Sequence, residues 1–362
     1  MRAWCRRLIV GLAVGLVVAE LFTRLLLRVS PYVRSQLAQL GPAGHRLETL
    51  ELYGNREHRS ADTPLGWQHS DPLLPDPRFG WINAPNEQAT TPWSFHINAQ
   101  GMRATHEYPI EKRPGVTRIA VLGDSYAFGY EVDDGETYAA LLERGLPDSE
   151  VLNLGVAAYG LDQVLLRYEE DFSRYKPDVV VITLVSILLL RCSDTFGAWY
   201  KPYFMLEGGE LVLHGRPVPS LVDMHRRYLF TPRLYSIYDI AAETWHLRFP
   251  STPSRDDSPL HRRILHRLVQ RIHADGARPI ILLAPAYWEY GKRSGAVDAY
   301  QAVCAANEAE CVDVQPRFAE AQKTGLLGDA VGAHHWNIAG NRLVAEEVID
   351  YLKAHPTAPL QR

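Results

Sequence analysis

The hydrophobic pattern opens with an uncharged apolar run, Leu8 to Ala19, which resumes as Leu21-Phe22 and Leu25-Leu26-Leu27. A membrane-spanning helix needs about 20 apolar residues, and counting from Leu8 through Leu27 reaches that length, with Glu20 and Arg24 as interruptions. Those two stand at i and i+4 on one helix face, where pairing lowers the cost of insertion. Arg2, Arg6 and Arg7 precede the run and favour a cytoplasmic N-terminus with the rest of the chain outside. A signal peptide cleaved after Val17-Val18-Ala19 is the competing reading and gives a secreted body. Residues 1–29 are thus an anchor or a signal peptide.

Residues 30–115 read as an irregular N-terminal extension, since Gly54 to Asn98 is rich in Pro, Trp, Asn and His without sustained period. From Thr117 the pattern becomes α/β. Short apolar runs at 118–122, 150–154, 178–185, 279–284 and 311–314 suit buried parallel strands. Between them, 135–146, 161–175, 259–274, 300–308 and 338–352 carry helical periodicity. This alternation predicts a three-layer α/β/α sandwich over residues 116–356, with a central, mostly parallel five-stranded sheet of flavodoxin-like type. Residues 186–258 break the rhythm with aromatics and prolines. They read as an insertion, suited to a lid or a substrate-binding surface.

Composition removes several alternatives. With 46% hydrophobic and 22% charged residues among 362, the chain is neither disordered nor fibrous. Lys+Arg 38 against Asp+Glu 42 gives a net charge of −4 and no basic footprint for nucleic acid. Arginine supplies 32 of those basic residues, so the row Arg263, Arg267 and Arg271 reads as a solvated helix face. Four cysteines lack zinc-site spacing, and neither metal nor cofactor is expected. Cys304 and Cys311 flank a short segment and could pair outside the cytoplasm.

Candidate chemistry falls at strand ends, where open parallel sheets bind ligands. The first strand of the sheet ends in Gly123-Asp124-Ser125, a tight turn able to expose a hydroxyl beside a free backbone N–H. The loop Gly332-Ala333-His334-His335-Trp336-Asn337 leads into the last helix. From there His335 can reach the same edge and take the Ser125 proton as general base. Trp199, Tyr200, Tyr203 and Phe204 suit either sugar stacking or packing within the insertion.

Four patches resemble the SGNH (GDSL) hydrolase superfamily, in particular its membrane-anchored bacterial branch. They are Ile97-Asn98-Ala99-Gln100-Gly101-Met102-Arg103, Arg118 through Gly129, Asn153 through Gln163, and His335-Trp336-Asn337 with Gly340. The resemblance implies Ser-His ester hydrolysis or acyl transfer. It also implies an oxyanion hole of the Ser N–H, a second-block Gly N–H and a third-block Asn side chain. Here the Gly position falls on Ala158, which keeps its N–H and suffers only if φ must be positive. No Asn follows the strand Val179 to Leu184, and Ser186 is the stand-in. The family's acid lies two or three residues before its His, but those positions are Ala333 and Gly332. Asp329, Asp313 or a backbone carbonyl must then orient His335.

Two functional readings follow. One is an extracytoplasmic serine esterase or O-acyltransferase acting on acetyl or similar esters, with Ser125, His335 and Asp329 catalytic and Ser125, Ala158 and Ser186 forming the oxyanion hole. Its partners would be an ester-bearing substrate such as an acetylated polysaccharide, and the membrane. The other is a degenerate member that keeps the fold and serves as a polysaccharide-binding or assembly component.

Overall fold

The computed structural model describes residues 2–40, 42–54, 72–90, 93–195, 197–248, 259–290, 304–306, 309–327 and 334–356. The chain divides into two compact units, Met1–Thr63 with Pro219–Pro253, and Pro64–Val218 with Ser254–Arg362.

In the first unit, α1 (Arg2–Val29) carries the apolar run as one continuous helix. Within the stretch expected to be irregular come α2 (Pro31–Ala38) and α3 (Pro42–Gly54). The start of α2 is fixed by Ser30, whose hydroxyl accepts from Val33 N, and by Pro31 in the first turn. The unit's core includes Leu27, Ala43, Leu47 and Ile240, the last lying far along the chain.

The second unit opens with two small antiparallel pairs. These are β1 (Leu73–Asp76) with β2 (Gly80–Asn83), and β3 (Gln88–Ala89) with β4 (Phe95–His96). The main sheet is formed by β5 (Thr117–Leu122), β6 (Ser149–Asn153), β7 (Val179–Leu184), and two later strands described below. Between them run α4 (Ser125–Phe128), α5 (Tyr138–Gly145) and α6 (Leu161–Arg167). After β7 follow α7 (Ser186–Leu190) and an antiparallel pair, β8 (Tyr203–Glu207) and β9 (Glu210–His214).

The chain then contributes α8 (Leu221–Phe230) and α9 (Arg233–Arg248) to the first unit before returning. The insertion expected at 186–258 therefore divides between the two units. Back in the second unit are α10 (Pro259–Ala274), β10 (Arg278–Leu283), β11 (Glu310–Asp313), and helices Gln315–Lys323 and Ile338–Ala354. The segment expected to be helical at 300–308 is described only at 304–306.

All five main strands are parallel, in the order β11-β10-β7-β5-β6. Helix α5 lies against the last helix, where Tyr138 N donates to Asn341 Oδ1, while α6 lies against α10. The expected α/β/α sandwich with a five-stranded parallel sheet is the architecture observed. Every residue of β7 is buried, as its unbroken apolar run requires of a central strand.

From β5 the chain first pairs β6 on one side and then returns to place β7 on the other. That reversal opens a crevice beyond the carboxyl ends of β5 and β7, the usual place for a ligand in such a sheet. At the opposite end, Arg118 is buried and donates to Glu150 and to the carbonyls of Pro109, Ile110 and Tyr175. With a carboxylate and three carbonyls as acceptors, the buried guanidinium is tolerated.

Candidate active site

The turn that carries Ser125 is built from a glycine and a cap. Gly123 adopts φ +154, and a Cβ there would lie 2.8 Å from the Ala127 side chain and 3.0 Å from that of Thr183. Asp124 caps the single turn α4 by accepting from Tyr126 N, and its other oxygen accepts from Arg191 Nη1 at 2.9 Å. Burial raises the Asp124 carboxyl, with Arg191 and the Tyr126 amide pulling the other way. Ser125, first in the turn, is thereby held at the end of β5.

Across the chain, His335 sits in a loop fastened on its C-terminal side. Trp336 is buried and donates its indole N–H to Pro285 O, just beyond β10. Asn337 caps the last helix by accepting from Gly340 N, and Asn341 donates to Trp336 O. Rings of Tyr126 and Tyr130 stand on the imidazole at centroid distances of 5.0 and 5.1 Å. The Tyr126 hydroxyl donates to His334 O and accepts from Tyr287 N.

These restraints bring His335 Nε2 to 2.8 Å from Ser125 Oγ. On the other side of the ring, Nδ1 lies 3.2 Å from Glu131 Oε1. Glu131 also accepts from the backbone N–H groups of His334 and His335. Burial would raise its carboxyl, but the imidazole and the two amides outweigh that and hold it below the usual glutamate range. An ionised Glu131 keeps the proton on Nδ1 and leaves the Nε2 lone pair facing the serine hydroxyl.

Glu131 is not among the acids the sequence offered for orienting His335, which were Asp329 and Asp313. The available signal was an acidic residue directly after Phe128-Gly129-Tyr130, six positions beyond the nucleophile. Glu131 holds φ +68, a left-handed conformation that turns the chain here. The loop is pinned by Arg103, a buried residue of the N-terminal extension. Its guanidinium donates to Asp134 and to the carbonyls of Ser94, Phe128, Gly129 and Val132. Asp329 lies outside the described residues. Asp313 ends the edge strand β11, where it accepts from Gln315 N.

The three oxyanion candidates follow adjacent strands. Register pairs Val121 with Asn153 and Leu122 with Ile182, so Ser125, Ala158 and Ser186 emerge at one sheet edge. Gly155 lets the second turn approach α4, since a Cβ there would meet Phe128 N at 2.2 Å. Ala158 adopts φ +64, so the position does require the left-handed region. An L-residue there costs about 1–2 kcal/mol.

The Ala158 turn is held on both sides. Trp81 donates its indole N–H to Ala157 O, and Arg191 reaches Tyr159 O. Arg191 therefore ties the Ala158 turn to the Ser125 turn through Asp124. Ser186 is buried, and its hydroxyl has no hydrogen-bond partner among the described residues. An unengaged buried hydroxyl is costly on its own and available to a ligand.

Other sequence candidates resolve as structure. Trp199 and Phe204 are buried within the second unit and present no stacking face. Arg267 pairs with Glu169 and Arg271 with Asp275, as expected of a solvated helix face. Cys304 and Cys311 form a disulfide. Among the described residues, no group of three His, Cys, Asp or Glu side chains could hold a metal ion.

No protein-family model matches the chain, and no curated protein matches it. Solved structures do. TesA is 19% identical, with 66% of this chain and 99% of that chain covered and a TM-score of 0.39. The acetyl xylan esterase AlAXEase is 15% identical, with 65% and 99% covered and a TM-score of 0.41. A lipolytic protein of the G-D-S-L family from Veillonella parvula is 15% identical, with 66% and 99% covered and a TM-score of 0.37.

Proposed function

We propose that this chain is a serine esterase or O-acyltransferase of the SGNH (GDSL) type. The reading is carried by one observation: Ser125 Oγ, the His335 imidazole and the Glu131 carboxylate form a continuous hydrogen-bonded chain. Ser125 attacks the ester carbonyl while His335 takes its proton at Nε2. The oxyanion that forms is met by the N–H groups of Ser125 and Ala158 and by the Ser186 hydroxyl. His335 then returns the proton to the leaving alcohol, and water or an acceptor hydroxyl releases the acyl group by the reverse sequence.

The alternative of a degenerate binding component drew on the missing acid and the missing third-block Asn. Glu131 supplies an acid from another loop, and Ser186 supplies a donor, so catalysis is favoured.

Location outside the cytoplasm is supported by the arginines before the apolar run and by the span-length helix, Arg6–Val29. A disulfide between Cys304 and Cys311 agrees with an oxidising compartment. That setting makes an acetylated envelope or exported polysaccharide the substrate to test.

The full chain in detergent should react with a fluorophosphonate probe and hydrolyse p-nitrophenyl acetate, and Ser125→Ala should abolish both. Absence of labelling in folded wild-type protein across pH 6 to 9 would sink the enzyme reading.

A further inference from the structure

The two charges inside the apolar run have partners that lie more than 200 residues away. Glu20 and Arg24 pair at 2.6 Å, and both also bind the corner between α8 and α9. Arg24 donates to the carbonyls of Tyr228, Leu229 and Thr231, at the C-terminus of α8. Glu20 accepts from Arg233 N and Leu234 N, the first amides of α9. The ends of two helices are thus satisfied by side chains of α1. A corner in water has no need of this, because water serves orphan backbone groups. A corner in hydrocarbon requires it.

The depth of that corner follows from helix geometry. Arg6 and Arg7 bar an earlier start, so a hydrocarbon core of about 30 Å, or about 20 residues, runs from Leu8 to Leu27. At about 1.5 Å per residue, Arg24 then lies about 5 Å and Glu20 about 10 Å inside the boundary at Leu27. The groups bound to them, from Tyr228 to Leu234, share that depth. The side chains at the corner suit lipid: Leu229 is 50% exposed and Phe230 81%.

Helix α9 continues the pattern. It starts at Glu20 and lies along α1, with Ile240 in the same core cluster as Leu27, so it follows α1 toward the boundary. Tyr235, Tyr238 and Trp245 recur along one face of α9, and all three are largely exposed. Their apolar rings and polar tips suit the headgroup region.

We infer that the α8–α9 corner is embedded in the bilayer beside α1, in the leaflet at the C-terminal end of that helix, so that residues 219–248 form a second membrane contact. The inference rests on reading α1 as a retained span.

The test uses the full chain with Cys5→Ser, reconstituted in phosphatidylcholine–phosphatidylglycerol vesicles. An environment-sensitive fluorophore is placed at Phe230→Cys and, in a separate variant, at Val14→Cys within the span. Both side chains are exposed in the protein, so neither change opens the core. Expected at position 230 are blue-shifted emission, strong quenching by lipid-borne nitroxide, and loss of quenching by iodide supplied on both sides, as at position 14. Water-like emission with iodide quenching at position 230, beside a lipid-quenched position 14, overturns the inference and leaves the span standing. Water-like emission at both positions overturns the span and the inference with it.

Discussion

Glu131→Gln tests the carboxylate proposed to orient His335 as general base. The amide is nearly isosteric and keeps an oxygen for the backbone N–H groups of His334 and His335, but it loses the charge facing Nδ1. A wrong tautomer can cost about 10⁴-fold where the acid is buried. Here the contact is 3.2 Å, and the His335 and Glu131 side chains are 17% and 20% exposed. Water can therefore take up part of the orienting role. The expected fall in kcat is about 10²–10³-fold, or about 2.7–4 kcal/mol in the barrier, with KM nearly unchanged because Glu131 does not face the substrate side of the ring.

The assay is kcat and KM for p-nitrophenyl acetate together with the rate of fluorophosphonate labelling. Glu131→Asp should recover part of the loss. A kcat within threefold of wild type would refute the assignment of Glu131.

The same residue predicts a pH dependence of stability. Folding depresses the Glu131 carboxyl, so its contribution is complete above the ordinary glutamate value of 4.5 and is lost as pH falls through the lower folded value. The stability difference between wild type and Glu131→Gln should be flat from about pH 6 to 8 and shrink below about pH 4. A difference unchanged down to pH 3 would show that the carboxyl is not depressed.

Three further substitutions separate the remaining parts of the site. Ser186→Ala removes a hydroxyl that has no partner within the described residues. It should lower kcat by about 10–100-fold, somewhat less than the loss of a fully engaged oxyanion donor, and leave the melting temperature equal or higher. An unchanged rate would remove Ser186 from the oxyanion hole. Ala158→Gly relieves a left-handed alanine but adds freedom to the unfolded chain, for a net gain of about 0.5–1 kcal/mol. Its denaturation midpoint should rise with activity retained, and a fall in either would contradict the strain argument. Arg191→Leu strands the buried Asp124 carboxylate and should cost about 3–5 kcal/mol, measured by urea unfolding. A loss below about 1 kcal/mol would mean that Arg191 does not tie the two turns.

Much of the architecture was legible because it is local. The apolar run Val179 to Leu184 is a central strand, and the amphipathic pattern of 259–274 is α10, since residues of these types bury one face or both wherever they stand. The meeting of Ser125 with His335 was legible for a related reason. A parallel sheet sends every strand end to the same edge, so Ser125 after β5 and His335 before the last helix could be placed together from order alone.

Other features depended on where distant segments cross. Glu131 meets an imidazole 204 positions away only because Arg103 fixes its loop and the chain turns at φ +68. The left-handed backbone of Ala158 is likewise flanked by long-range bonds, from Trp81 to Ala157 O and from Arg191 to Tyr159 O. Residues 219–248 carry no local mark that they leave the sheet for the unit of α1. Their place is decided where Glu20 and Arg24 of α1 satisfy the backbone groups at the helix ends of the α8–α9 corner. Periodicity along the chain determines which faces must be covered. Which segment covers them, and which acid meets which base, is decided only when the backbone closes in three dimensions.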